Sequence, residues 1–195
     1  MMSVDSILNQ NYVKWMDQTE NGEDIVISSR IRLARNLHEL PFPHLLDEEK
    51  GAEVLQLIQQ VWEKDADHLK QVDFASLQGL SIMDRQILME KHLISPEFSH
   101  SNSAYRGVLL NEEGSTCIMI NEEDHIRIQC VLPGLSLDQC CQQAMALDDA
   151  FEAELDYAFD EKRGYLTACP TNVGTGLRAS VMLHLPAIQF TGQAR

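Results

Sequence analysis

The chain has 195 residues and carries 30 acidic against 15 basic side chains, a formal charge of −15. That length is enough for one domain with a real core, and 44% hydrophobic with 23% charged residues is the composition of a soluble globular protein. So acidic a chain is a poor partner for nucleic acid, whose phosphates are held by Lys and Arg; no apolar run approaches the ~18 residues of a membrane span, and MMSVDSILNQ has neither the basic nor the apolar region of a secretion signal.

Apolar positions Val4, Ile7, Leu8, Val13, Trp15 and Met16 predict an amphipathic helix over residues 3–17, followed by a polar turn, Thr19–Asp24. Residues 25–36, IVISSRIRLARN, then alternate. Ile25, Ile27, Ile31 and Leu33 share one parity, and Ser28, Arg30 and Arg32 share the other. In a strand the first set faces a core and the second presents two arginines side by side. That second face is either a solvated surface or a clamp for two anionic groups. Pro41 and Pro43 break structure, and Asp47 caps a predicted helix over 48–64 with Val54, Leu55, Ile58, Val61 and Trp62 inward. Residues 65–82 give a weak signal, with a strand near Val72–Leu77. Residues 84–95 read as a helix burying Ile87, Leu88 and Leu93.

Residues 106–120 read as a hairpin, RGVLLN and STCIMI around Glu112-Glu113-Gly114. Glu122-Glu123-Asp124 lie between two apolar strands, with Arg127 in the second. Three acids in a row are a solvated turn or a holder for a cation. Ser136-x-x-Gln139 has capping-box spacing and predicts a helix to about Phe159, with Ala144, Leu147, Phe151, Leu155 and Ala158 inward. The adjacent Cys140 and Cys141 on it are structural. The five cysteines, an odd count without metal-type spacing, imply reduced thiols, a cytoplasmic location and no protein-bound metal.

Asp160–Gly164 turns the chain into YLTACPTNVGTGLRASVMLHLP, residues 165–186. Tyr165 to Ala168 predicts a short strand, Gly174-Thr175-Gly176 a turn, and Leu177, Val181 and Leu185 a helix. A glycine turn feeding a helix N-terminus favours anions. Arg178 would add a charged fork in the first turn, and Cys169 sits where a positive field lowers a thiol pKa.

CPTNVGTGLRASV resembles the signature of the phosphagen (guanidino) kinases, which move the ATP γ-phosphate onto a guanidinium nitrogen. Three other stretches resemble family motifs in family order. These are SSRIR at 28–32, EKHLIS at 90–95 and NEEDHIR at 121–127. The resemblance implies ATP phosphates held by Arg30, Arg32, Arg127 and Arg178. Ser28, Ser29, Ile31, His92, Ala179, Ser180, Val181 and Met182 complete the nucleotide-binding set. Glu123 would pair with the substrate guanidinium and take its proton, and Cys169 would lie beside it as a thiolate. Mg2+ would be held mainly by nucleotide and water. The implied fold is α+β, a mostly antiparallel sheet flanked by helices, with residues 1–195 as the N-terminal portion of one catalytic domain whose core starts near residue 24.

The SSRIR strand begins by residue 28, which leaves no space for the helical domain that precedes it in small-guanidine kinases. The G-T-G-L-R form of the signature likewise resembles the protein-arginine kinase branch, whose substrates are arginine side chains of other proteins. That branch implies protein substrates such as a stress-response repressor, an activator protein, a protease–chaperone partner and a homodimer. Family members continue past the HLP segment into further strands, with another ATP-binding arginine and a second catalytic glutamate. The resemblance therefore implies a C-terminally truncated kinase with unpaired sheet edges. Three alternatives stay open: a small-guanidine kinase, a non-catalytic nucleotide- or partner-binding remnant, and a hydrolase using Cys169 with His184 or His125.

Overall fold

The computed structural model describes residues 2–17, 25–65 and 67–192; the predicted polar turn Thr19–Asp24 lies outside them. Two short helices, α1 (Met2–Asn9) and α2 (Lys14–Asp17), precede the long strand β1 (Val26–Arg35). Then come α3 (Glu48–Lys64), β2 (Val72–Ser76), α4 (Ile82–Glu90) and α5 (Pro96–Ser99). The hairpin β3 (Gly107–Asn111) and β4 (Thr116–Ile120) leads into β5 (Ile126–Pro133) and α6 (Leu137–Glu152). A small ribbon, β6 (Phe159–Asp160) and β7 (Gly164–Tyr165), is followed by β8 (Leu177–Leu183) and α7 (Pro186–Phe190). Six strands form one antiparallel sheet in the order β2-β3-β4-β5-β1-β8. This is the α+β architecture expected from the sequence.

Period-2 patterning gives the sheet two different faces. On one, Ile31 and Leu33 of β1, Leu109 of β3, Ile118 and Ile120 of β4, and Ile126, Ile128 and Cys130 of β5 pack beneath α3 and α6. On the other, Val108, Leu110, Cys117, Met119 and Val131 are covered by α1, α2, α4 and α5 through Ile7, Trp15, Leu88 and Phe98. No buried residue of β1 or β8 belongs to this second layer. Half of that face is therefore left to polar side chains. No helix among the described residues is long and apolar enough to cross a membrane.

Several boundaries differ from the sequence reading. The predicted helix over 3–17 breaks after Asn9, where the buried Lys91 donates through Nζ to the carbonyls of Ile7 and Gln10 and so satisfies the end of α1. The helix predicted over 84–95 begins at Ile82, with a capping box of Ser81 and Asp84, and ends at Glu90. His92 follows it with φ +59°. Ser136 forms no capping box: its Oγ donates to Pro133 O, and α6 stops at Glu152. Ile25 and Ile27 are exposed, beside a bulge between Val26 and Ser28, so β1 buries only half of its predicted apolar face.

The largest correction is β8, predicted as a helix and found as a strand along the free edge of β1. Leu177 and Val181 are four residues apart, and four is a multiple of both near-helical and strand periods, so the spacing could not choose. The unpaired donors and acceptors of β1 do choose. The predicted strand at Tyr165–Ala168 shrinks to Gly164–Tyr165 with an isolated bridge from Tyr165 to Gly174.

Arg35 ties β1 to α6 and to the glycine turn. Its guanidinium, 2% exposed, donates from Nε and Nη2 to Asp148 Oδ2 at 3.0 and 2.6 Å, and from Nη1 to the carbonyls of Ala34 and Thr175. It also sits 3.7 Å from the centroid of the Tyr165 ring, while Tyr157 donates to Asp148 Oδ1. A Cβ on Gly176, whose φ is +61°, would lie 2.3 Å from Arg35 Nη1, which is why the turn needs glycine there. Arg35→Met should destabilise by about 3–5 kcal/mol, because Asp148 stays buried without its partner. Urea unfolding should show most of that loss recovered in Arg35→Met/Asp148→Leu.

Candidate active site

Residues directly opposite in an antiparallel pair point to the same face. Arg32 lies opposite Gln129 of β5 and Arg178 of β8; Arg30 lies opposite Val131 and Ser180; Arg127 lies opposite Ala34. Register thus gathers Arg30, Arg32, Arg127 and Arg178 on the uncovered half of one sheet face. Their mutual repulsion is visible in their acidity. Burial, then Arg127 and Arg178, pull the Arg30 guanidinium below its usual range. Burial, then Arg30, Arg127 and Arg178, pull Arg32 down to about 10, with Glu122 opposing. Both remain cationic at neutral pH. Arg32 Nε is buried without a hydrogen-bond partner. Like charges held this close, with a donor left open, make a site for a polyanion.

The arginines divide between two depressions. Arg32, Arg127 and Arg178 line a cleft of ≈ 240 Å³ with Glu123, Asp124, Cys169, Thr171 and Asn172. Arg30 lines a neighbouring one of ≈ 250 Å³ with Ser28, His92, Ser180, Val181 and Met182, to which Val131 and Trp15 also contribute. Arg30 Nε donates to Ser180 Oγ at 3.3 Å, and Gln129 Nε2 holds the carbonyl of His92 at 2.8 Å. Ser29, Ile31 and Ala179 are in neither lining, and Val181, opposite Ser29, shares their strand parity although it borders the second depression. Strand alternation turns their side chains to the opposite face, where Ser29 Oγ donates to Gly134 O and Ile31 packs in the core. The expectation that these three side chains line the site is corrected accordingly.

The acidic turn before β5 separates into three roles. Glu122 is buried, with Oε2 2.5 Å from Arg127 Nη1 and Oε1 2.5 Å from the Ser95 hydroxyl. Burial opposes its ionisation, but Arg127, Ser95 and the Glu123 amide together hold its pKa below the usual range. Glu123 is 45% exposed in its side chain and 3.9 Å from Arg127. Burial first, then Asp124 and Glu122, push its carboxyl up, against Arg127. Glu123 is therefore the exposed carboxylate lining the cleft, and Glu122 is the clamp on Arg127. Asp124 Oδ1 accepts from Asn36 Nδ2 at 2.6 Å and Ala168 N at 2.7 Å, joining this turn to the Cys169 loop. Glu122, Asp124 and Asn36 were not legible as site-building residues, because nothing in a run of acids says which one is paired.

His125, fully buried, accepts from Leu37 N on Nδ1 at 2.9 Å and donates from Nε2 to Pro41 O. It is a structural imidazole, not a nucleophile's partner. Burial pulls its pKa down to about 4, against a hydrogen bond to Pro41. A base with a depressed folded pKa contributes full stability above its unfolded value of ~6.5, and loses it as pH falls toward 4, here by about 3 kcal/mol. Urea midpoints at pH 7 and pH 4.5 should differ by less in His125→Gln than in the wild type.

Cys169 precedes a single 3-10 turn, Pro170–Asn172, and its Sγ is 3.0 Å from Thr171 Oγ1. The glycine turn with φ +116° at Gly174 leads into a strand, so anion binding here rests on side-chain guanidinium groups and not on a helix N-terminus. Among the described residues no group of three or more His, Cys, Asp or Glu could hold a metal ion. In anion-poor buffer, Arg32→Met should raise the thermal midpoint by about 2–4 °C, the equivalent of ~1 kcal/mol of relieved repulsion in a chain of this size. It should also lower the stabilisation that inorganic triphosphate gives the wild type.

The fold and site can now be set beside known proteins. Residues 53–195 match the family model described as ATP:guanido phosphotransferase, C-terminal catalytic domain. A protein-arginine kinase of Syntrophomonas wolfei is 53% identical over 195 residues, 99% of this chain and 54% of that protein. One from Moorella thermoacetica is 50% identical over 183 residues, 93% of this chain and 52% of that protein. The chain thus spans about half the length of the curated relatives it matches. Among solved structures, the taurocyamine kinase of Schistosoma mansoni with bound transition-state analog components superposes with a TM-score of 0.80 over 96% of this chain and 27% of that one; at 21% identity that likeness shows the fold alone. Lombricine kinase gives 0.71 at 25% identity, over 92% of this chain and 52% of that one. With the family model covering well over half of its residues, the chain belongs to the ATP:guanido phosphotransferase family.

Proposed function

We propose that this chain carries the nucleotide- and guanidinium-binding part of a protein-arginine kinase, which moves the ATP γ-phosphoryl group to arginine side chains of other proteins. The observation that carries the reading is one cleft in which Arg32, Arg127 and Arg178 face Glu123 and Cys169. Phosphoryl transfer asks for positioning and charge neutralisation more than for covalent chemistry by the protein. Three fixed guanidinium groups supply that neutralisation for the phosphates, and Glu122 fixes Arg127 at 2.5 Å. A substrate guanidinium is a planar fork that pairs with a carboxylate. Glu123 can orient it and accept its proton as the N–P bond forms and the bond to the leaving ADP oxygen breaks, and its raised pKa suits that transfer.

Mg2+ would supply further neutralisation of the phosphate charge, held mainly by nucleotide oxygens and water, as the motif resemblance implies. The names of the relatives support arginine in proteins as the acceptor. The same reading makes the protein cytoplasmic, consistent with five free cysteines. It also places the chain in a stress response, with a repressor as substrate and with activator and protease–chaperone partners; the motif resemblance supports those points.

The test is transfer of label from γ-labelled ATP to an arginine-bearing acceptor protein. The expected product is acid-labile and base-stable, and Glu123→Gln should lower its rate by about 10²–10³, the usual cost of one group acting in the transition state. ATP binding lost in Arg178→Ala, with no transfer in any variant, would instead identify a nucleotide-binding module. Label of the same stability and rate in Glu123→Gln would overturn the role given to that carboxylate.

A further inference from the structure

The second depression has a wall that none of the sequence motifs supplies. Trp15, on α2, is 6% exposed and lines it opposite the polar side chains of Ser28, Arg30 and Ser180. Its indole Nε1 is buried and has no hydrogen-bond partner. A buried indole usually finds an acceptor, and this pocket is open space that Trp15 lines. The other wall is His92, exposed and held in a left-handed conformation, with its carbonyl pinned by Gln129. Lys91, next to His92, donates through Nζ to the carbonyls of Ile7 and Gln10 at the end of α1. Those bonds tie the residue next to His92 to the end of α1, a few residues before the Trp15 helix. The pocket adjoins the arginine face through Arg30, which lies next to Arg32 along the strand.

We infer that Trp15 is a binding residue for the heterocyclic half of the nucleotide, so that the N-terminal helical segment forms one wall of the nucleoside subsite. The inference rests on the kinase reading above. The ligand is an aromatic base with its ribose: flat, apolar on its faces and carrying acceptors at its edge. An indole lining the pocket offers such a base an aromatic contact.

The chain has two tryptophans, Trp15 and Trp62, and Trp62 lies on α3 with its Nε1 bonded to Val72 O. In Trp62→Phe the emission therefore comes from Trp15 alone. ATP should quench or shift that emission saturably, whereas inorganic triphosphate, which fills only the arginine cleft, should leave it unchanged. Trp15→Phe should weaken ATP binding by about tenfold, the scale of one lost base contact, with the affinity for triphosphate preserved. ATP binding that is abolished by Arg178→Ala but silent in Trp15 emission, and unchanged in Trp15→Phe, would overturn this inference and leave the kinase reading standing. Binding of neither ATP nor triphosphate to the wild type, by thermal shift, would overturn both. The emission titration uses native Trp15, so it decides the question even if Trp15→Phe folds poorly.

Discussion

Antiparallel register across β5, β1 and β8 is the constraint on which everything else in this molecule depends. It sets Gln129, Arg32 and Arg178 in one row and Val131, Arg30 and Ser180 in the next. A slip of one residue in β1 would send both of its arginines into the apolar layer under α3 and α6, and would expose Ile31 and Leu33. Burial of those two residues therefore fixes the position of the charges. The sheet's hydrophobic face and its arginine face are specified by the same alternation.

The arginine face is unfavourable by itself, and the structure stabilises it from behind. Arg35 and Asp148 join β1 to α6 below it, while Glu122 and the Asn36–Asp124 pair brace the loops at its rim. Two of these links, Arg35–Asp148 and Asn36–Asp124, join segments far apart in sequence, and Glu122–Arg127 is local. Each places a charge or a loop that would otherwise be free to relax away from its like-charged neighbours. Such preorganisation is what electrostatic stabilisation of a phosphoryl transfer requires, since no reorganisation is left for the reaction itself. Arg127 is held by Glu122 at the cleft, and Glu123 stays half-exposed beside it.

The family model begins at residue 53, yet β1 and its two arginines precede that point and occupy the centre of the site. The functional unit of this chain is thus larger than the matched span. It includes α2, whose indole closes a pocket that the motifs alone leave one-sided. In this arrangement the N-terminal helices bury apolar residues of β3, β4 and β5 and at the same time shape the space next to Arg30.

Local pattern was enough to read the hairpin β3–β4, helix α3 with its Asp47 cap, and the parity of Arg30 and Arg32, because each depends on neighbours two to four residues away. The motif order made the family legible from the chain alone. Tertiary structure alone decided that β8 is a strand, since Leu177 and Val181 satisfy either period and only the open edge of β1 distinguishes them. It also decided which acid of the 122–124 run clamps Arg127 and which stays available, and it turned Ser29, Ile31 and Ala179 away from the site. Those outcomes rest on pairings such as Asp148 with Arg35, 113 residues apart. Local periodicity carries no information about such pairings, and burial and register supply it.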